Sequence, residues 1–415
     1  MRKGYAWLLL VYSLILLGGC GDRKETAVAD SAVAVPNEIS DLTDEARAWA
    51  DSIYGIMTPE ERLAQMVMPA VFSTSDPTSL EHIRWYAEDL KVGGLLLLKG
   101  DARSATVIAD SLASIRDRMP HSPGTFLAVD AETGLGMRFS DAPLFPWNSK
   151  IDRDVDEETF FEYGRELGRE ARITGINMIL GPVVDIDRSD GKGKGIMRLR
   201  SIGSDQARVA DLSLAYARGL ESQGVASVTK HFPGHGPTAA DSHDVMPVIT
   251  TSREELDSVD LLPFRNAIQN GLSCIMVGHI WAQNLDSVCR PASFSPVVIT
   301  DLLRKEMGFK GLVIVDAVGM GGAKGYTGAD AIIAGADIII APPDTRNELL
   351  LLAEAVKDGR LTESRVEETC KRILFYKYLR FVNTDRRDFS GSDSIKIEER
   401  LREEAPDIVN KLLSN

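Results

Sequence analysis

Eight short apolar runs, separated by longer stretches with helical spacing, leave this chain few folds to adopt. They fall at residues 67–72, 94–98, 125–130, 177–180, 225–230, 274–278, 312–316 and 337–340. Each is apolar at odd and even positions alike, the pattern of a strand buried on both faces. Between them, Phe160, Gly164, Leu167, Gly168 and Ala171 follow the spacing of one buried helix face, as do Val366, Cys370, Ile373 and Leu374. Thr58-Pro59-Glu60-Glu61 and Ser252-Arg253-Glu254-Glu255 read as helix starts, a capping hydroxyl followed by early acids. Strand and helix alternating eight times predict an α/β fold, a (β/α)8 TIM barrel with a single catalytic domain over 41–382. A doubly wound open sheet shares the local pattern. The polar residues favour the barrel: Asp130, Asp185, Lys230-His231, His279 and Asp316 all fall at or just past the C-terminal ends of apolar runs. In a barrel those ends converge on one face; in an open sheet they spread along an edge.

The ends of the chain differ from its middle. Arg2 and Lys3 precede an apolar run over 6–17, too short for a comfortable membrane span, so residues 1–19 read as a signal peptide. The run closes on Leu17-Gly18-Gly19-Cys20, which resembles the lipobox of bacterial lipoproteins; that implies cleavage before Cys20 and lipidation of its thiol. An ordinary signal peptide or an uncleaved anchor are the alternatives. Residues 20–40 then form the lipidated N-terminus and a flexible tether, small, polar and charged. The expected location is exported, anchored to a bacterial membrane by lipid. Residues 383–415 form a charged C-terminal tail, in which 395–413 has helical apolar spacing in places and reads as a short surface helix or a frayed end. The formal charge of -14 provides no basic patch for a phosphate backbone and argues against nucleic acid.

The densest chemical signal is Lys230-His231-Phe232-Pro233-Gly234-His235-Gly236, followed by Asp241-Ser242-His243. A Lys-His pair leaves a strand and enters a loop that glycine and proline force to turn over the barrel mouth. Asp241 and His243 are close enough to hydrogen-bond, and a carboxylate beside an imidazole fixes its tautomer for acid/base work near neutral pH. A surface loop rich in turn residues is the bland alternative. A metal site from His231, His235 and His243 lacks a fourth ligand and a helical context, so no metal is expected. Cys274, Cys289 and Cys370 suit no zinc motif and cannot all pair within the chain; Cys274 reads as core. The second signal is an apolar run, 312–315, ending in Asp316, where a carboxylate can attack an anomeric carbon. A helix cap or a buried ion pair would account for that residue equally well.

Taken together these motifs resemble the family 3 glycoside hydrolases, in their single-domain β-N-acetylglucosaminidase (β-N-acetylhexosaminidase) branch. The likeness runs from Met57-Thr58-Pro59-Glu60-Glu61-Arg62 to about Leu379, and the Lys-His-Phe-Pro-Gly-His-Gly segment with its Asp-Ser-His carries it. The resemblance implies that Asp316 is the nucleophile, that His243 is the acid/base and that Asp241 orients it. It further implies that Asp130, Lys230, His231, Arg138 and Arg200 bind the sugar. Retaining glycosidases need a nucleophile and an acid/base about the scissile bond, with a covalent intermediate. Histidine in place of the usual second carboxyl does not push up the nucleophile's pKa.

Two segments depart from the family pattern. Asp130-Ala131-Glu132-Thr133-Gly134 stands where Asp-x-Glu-Gly-Gly is common, and residues 187–200 carry glycines and lysines in place of Asn-Pro repeats, which makes Arg198 a rival to Arg200. The expected activity is a retaining exo-glycosidase acting on terminal β-linked N-acetylglucosamine, with peptidoglycan fragments as one source, no cofactor, and the membrane as partner through the lipid anchor. A phosphorylase using the same residues, or a non-catalytic membrane-tethered glycan-binding protein, remain the alternatives.

Overall fold

A computed structural model describes residues 44–188, 196–238, 240–379 and 396–413. The predicted signal peptide, Cys20 and the tether lie outside these residues, as does 189–195 of the divergent loop.

Eight parallel strands close into a barrel. Strand β1 is Val67–Met68, resuming after Pro69 as Ala70–Ser73; then come β2 (Gly94–Gly100), β3 (Phe126–Val129), β4 (Met178–Ile179), β5 (Ala226–Phe232), β6 (Cys274–Val277), β7 (Leu312–Val315) and β8 (Ile338–Ile340). Each predicted run coincides with one of them. The first half of β1 pairs with β8, Val67 opposite Ile339, and the second half with β2, Ala70 opposite Leu96. Proline has no N–H for a ladder, and Pro69 sits where β1 changes partners. With all neighbours paired in parallel, the sheet has no free edge, and the open-sheet alternative is excluded.

The helices form as their sequences dictate. Thr58 and Glu61 make a reciprocal capping box and Ser252 accepts from the Glu255 N–H, so both predicted starts cap helices. Such a cap is worth about 1 kcal/mol. The helix Glu157–Thr174 starts at Asp156 and ends at Gly175, which takes the left-handed conformation at φ 75°. Its predicted face, Phe160, Gly164, Leu167, Gly168 and Ala171, is buried, and so are Val366, Cys370, Ile373 and Leu374 on Glu363–Lys377. Cys274 lies in β6 and is buried.

The described part of the charged tail is ordered as two helices, Ile397–Leu401 and Ala405–Leu413. Ile397, Leu401, Ala405, Ile408 and Leu412 pack into the core beneath Ala102–Arg118 and Glu157–Thr174, leaving the charges outside. Each fully buried Leu or Ile contributes about 1.5–3 kcal/mol. Arg169 donates to the Arg400 carbonyl at 3.0 Å, and the Asp152 N–H to that of Leu412 at 2.9 Å. This region is thus a docked helix pair, and its apolar i, i+4 positions are what dock it.

The N-terminal end of the barrel is sealed by polar groups. Asp337, just before β8, accepts from Arg372 at 2.7 Å, from the Val313 N–H at 2.9 Å, and from Arg304. Lys377 is buried there without a carboxylate partner among the described residues, donating to Gln65 Oε1 and the Gly124 carbonyl, both at 2.6 Å. Burial pushes its amine down to about 7.

Candidate active site

The opposite end gathers the sequence-predicted residues. Asp130 follows β3, and its carboxylate accepts from Arg138 at 2.8 Å and from Lys230 Nζ at 2.8 Å. Lys230 lies within β5, 2% exposed. Its ammonium also meets Glu132 Oε1 at 2.8 Å, so it bridges two carboxylates that leave β3 two residues apart. Arg200 binds the same Glu132 through Nε at 2.8 Å and Nη2 at 2.7 Å.

Arg200 Nη2 lies 3.2 Å from His231 Nε2. A guanidinium can only donate, so Nε2 accepts and the proton is on Nδ1, which donates to Asp185 Oδ2 at 2.7 Å. Asp185 also accepts from the backbone N–H of His235 at 2.6 Å. Three cations and three carboxylates are therefore interlocked across the ends of β3, β4 and β5.

The charges hold one another in place. Burial pushes the carboxyls of Asp130 and Glu132 up, but Lys230 with Arg138 outweighs it at Asp130, and Lys230 with Arg200 at Glu132. Both stay below their ordinary values, Glu132 well below. Burial pushes the Lys230 amine down, yet Asp130 and Glu132 raise it above its usual value. Burial pushes the Asp185 carboxyl up, but the His231 ring with its hydrogen bond, the His235 ring and the His235 backbone N–H bring it below its ordinary value.

Asp316 follows β7. Its Oδ1 accepts from the Ala317 N–H at 2.8 Å, and Oδ2 has no hydrogen-bond partner among the described residues. Burial raises its carboxyl, but His279, His231, the Ala317 N–H and Lys230 bring it below the ordinary value. It is ionised at neutral pH and within electrostatic reach of the Lys230 cluster.

The Asp241–His243 pair forms as its spacing suggests. Asp241 Oδ1 accepts from His243 Nδ1 at 2.7 Å and from the His243 N–H at 2.9 Å. Burial raises the Asp241 carboxyl, but those two bonds bring it below its usual value. The His243 side chain is 63% exposed and that of Asp241 30%. Two backbone bonds tie this loop to the one that follows Asp316: the N–H groups of Gly321 and Gly322 donate to the carbonyls of His243 and Ser242 at 2.8 and 3.0 Å. A Cβ on Gly321 would stand 2.2 Å from the Asp244 carbonyl oxygen and one on Gly322 2.9 Å from that of Ser242, so only glycine permits this approach. A short parallel pairing of Val248–Ile249 with Trp281–Ala282 ties the loops after β5 and β6 together.

His235 serves the loop from beneath. Thr238 Oγ1 donates to the His235 carbonyl at 2.8 Å and must accept from His235 Nδ1, which leaves Nε2 to accept from Ser242 Oγ at 3.2 Å. The ring is neutral; burial pushes it down to about 4. His231, His235 and His243 thus each have their own partner, and among the described residues no three His, Cys, Asp or Glu side chains could hold a metal ion.

The two rival arginines separate clearly: Arg200 reaches Glu132, while Arg198 is exposed. Sequence reasoning gave no role to Glu132, Asp185, His235 or His279. For Glu132 the signal was its two-residue offset from Asp130, which directs both carboxylates to one side as the chain leaves β3.

Comparison with known proteins bears on this arrangement. The profile of the glycosyl hydrolase family 3 N-terminal domain matches residues 58–375. A β-N-acetylglucosaminidase/β-glucosidase of Cellulomonas fimi is 29% identical over 350 residues, covering 81% of this chain and 60% of that one. The chain thus spans less than two thirds of that relative. A β-hexosaminidase of Xylella fastidiosa is 31% identical over 285 residues, covering 66% of this chain and 82% of that protein. Among solved structures, a family 3 β-N-acetylglucosaminidase from a Paenibacillus species superposes with a TM-score of 0.72 at 28% identity, over 83% of this chain and 68% of that one.

Proposed function

Because this chain belongs to glycosyl hydrolase family 3, we propose that it is a retaining exo-glycosidase that hydrolyses terminal β-linked N-acetylglucosamine. The observation that carries this reading is the state of Asp316: ionised, one oxygen tied to the Ala317 N–H, the other without a partner among the described residues, on a segment bonded to the loop that bears an Asp–His pair. The names borne by the relatives, β-hexosaminidase and β-N-acetylglucosaminidase, support the sugar.

In this mechanism Asp130, Lys230, Arg138, Arg200 and His231 hold the sugar's hydroxyls. Asp316 Oδ2 attacks the anomeric carbon while protonated His243 gives its Nε2 proton to the departing oxygen. Asp241 keeps the Nδ1–H and so presents Nε2 to the substrate. In the second half His243 takes a proton from water, which displaces the carboxylate with a second inversion. A slow fluorosugar should leave a glycosyl adduct on the Asp316 peptide, read by mass spectrometry. An adduct on Asp130 or Asp185, or a first product of α configuration, would refute the assignment.

The enzyme acts, in this reading, from a bacterial membrane to which lipidated Cys20 anchors it, with peptidoglycan fragments as substrate. The apolar run before Leu17-Gly18-Gly19-Cys20 supports the anchor. Cys20→Ala should move the protein to the soluble fraction or block its processing; unchanged detergent-dependent fractionation with normal processing overturns it.

A further inference from the structure

His279 lies two residues past β6, fully buried, and has no part in the Lys230 cluster. Its Nε2 is 3.0 Å from the Ala317 carbonyl and its Nδ1 2.7 Å from Ser293 Oγ. A carbonyl only accepts, so Nε2 carries the proton and Nδ1 accepts from the serine hydroxyl. The ring lies flat on Phe294, centroids 5.5 Å apart at 1°, and Phe294 lies on Tyr326 at 4.6 Å and 8°. The backbone at Gly322 packs so close to the base of this side chain that a Cβ there would stand 2.9 Å from that of His279. The ring therefore cannot turn without losing both hydrogen bonds and its stack.

The residue at the end of this chain of contacts is Ala317, whose N–H donates to Asp316 Oδ1. We propose that His279 is a positioning residue for the nucleophile: by holding the Ala317 carbonyl it keeps the Ala317 N–H on Asp316 Oδ1 and leaves Oδ2 as the attacking oxygen. This rests on the reading of Asp316 as nucleophile. An unrestrained carboxylate rotates about its last bond and spends its time in unreactive orientations, and a misplacement of about 1 Å costs on the order of 10²-fold in rate. Burial pushes the His279 ring below its ordinary pKa, with Asp316 opposing, so it is neutral at pH 7. The ring thus acts on the carboxylate through Ala317, donating to that residue's carbonyl and not to Asp316 itself.

The test is trapping by a slow fluorosugar, with the adduct located by mass spectrometry, in the full chain and in its His279→Ala, His279→Gln and Ser293→Ala variants. In His279→Ala the trapping rate at saturating reagent should fall about 10²-fold, with half-saturation changed by less than about twofold. His279→Gln keeps an N–H donor in reach and should recover roughly tenfold of that loss. Ser293→Ala frees the ring to change tautomer and should slow trapping by about threefold to tenfold. Equal losses in the alanine and glutamine variants, or a loss seen only in half-saturation, overturn the proposal. Should His279→Ala not fold, wild-type trapping rates in the other two variants overturn it equally. An adduct on another residue overturns instead the assignment of Asp316, and this proposal with it.

Discussion

The cluster around Lys230 and the Asp241–His243 pair lie over the same barrel mouth, yet one is buried and cross-linked and the other stands in solvent. The Lys230 side chain is 3% exposed and that of Glu132 4%, against 63% for His243. The cluster grows from the barrel ends, where strand geometry sets each side chain; the dyad sits on a loop held by a few backbone bonds. In the proposed mechanism the cluster holds the sugar and the dyad moves the proton; groups that hold a sugar profit from being fixed and desolvated. A group that must release a proton and regain one each turnover profits from contact with water.

Lys230→Met should break the contrast most severely, because it leaves Asp130 and Glu132 facing each other without their shared cation. Removing one partner of a buried pair costs about 3–5 kcal/mol, read here as lost unfolding free energy in denaturant, and turnover falls with it. A stability loss under about 1 kcal/mol would show that Arg138 and Arg200 suffice.

His243→Ala should do the reverse. It should cost about 10²–10⁴ in kcat/KM on a glycoside with a poor leaving group while stability stays within about 0.5 kcal/mol. The loss should shrink for activated aryl glycosides. Asp241→Ala acts through the same imidazole, so the double mutant should be far less than additive; full additivity would separate the two roles.

A pH series sharpens the comparison at its boundary, where His235 joins cluster to loop. Its folded pKa, about 4, lies below the ordinary 6.5. The stabilisation is thus complete above pH 6.5 and is lost as pH falls toward 4, because the unfolded chain takes up the proton first. Between pH 7 and 4.5 this component is on the order of 2–3 kcal/mol. His235→Gln should lack it, and a parallel decline in wild type and variant would assign the acid sensitivity elsewhere. The smallest effect is expected at Arg198→Ala, a change within about twofold in kcat/KM; a larger one would return this arginine to the sugar site.

The strands were legible because they are buried on both faces, so neighbours such as Leu312 and Val313 are both apolar. The dyad was legible because a single residue separates its members. Glu132 was not, since its partners are 68 and 98 positions away, at Arg200 and Lys230, and only the fold brings them together. Arg198 and Arg200 could not be ranked because a short turn at 196–198 decides which one faces inward. The terminal helices were obscured by charge: Ile397, Leu401, Ile408 and Leu412 make a narrow stripe among acids and bases, and what they dock on lies far back in the sequence.

The bonds from Gly321 and Gly322 to the carbonyls of His243 and Ser242 join the loop after β7 to the loop after β5. In the proposed mechanism these two segments supply the nucleophile and the acid/base, so they act as a single module although some eighty residues separate them. Loop exchange between relatives should therefore succeed only when both are transplanted together, and a library that randomises one while freezing the other will be filled with folded but inactive barrels.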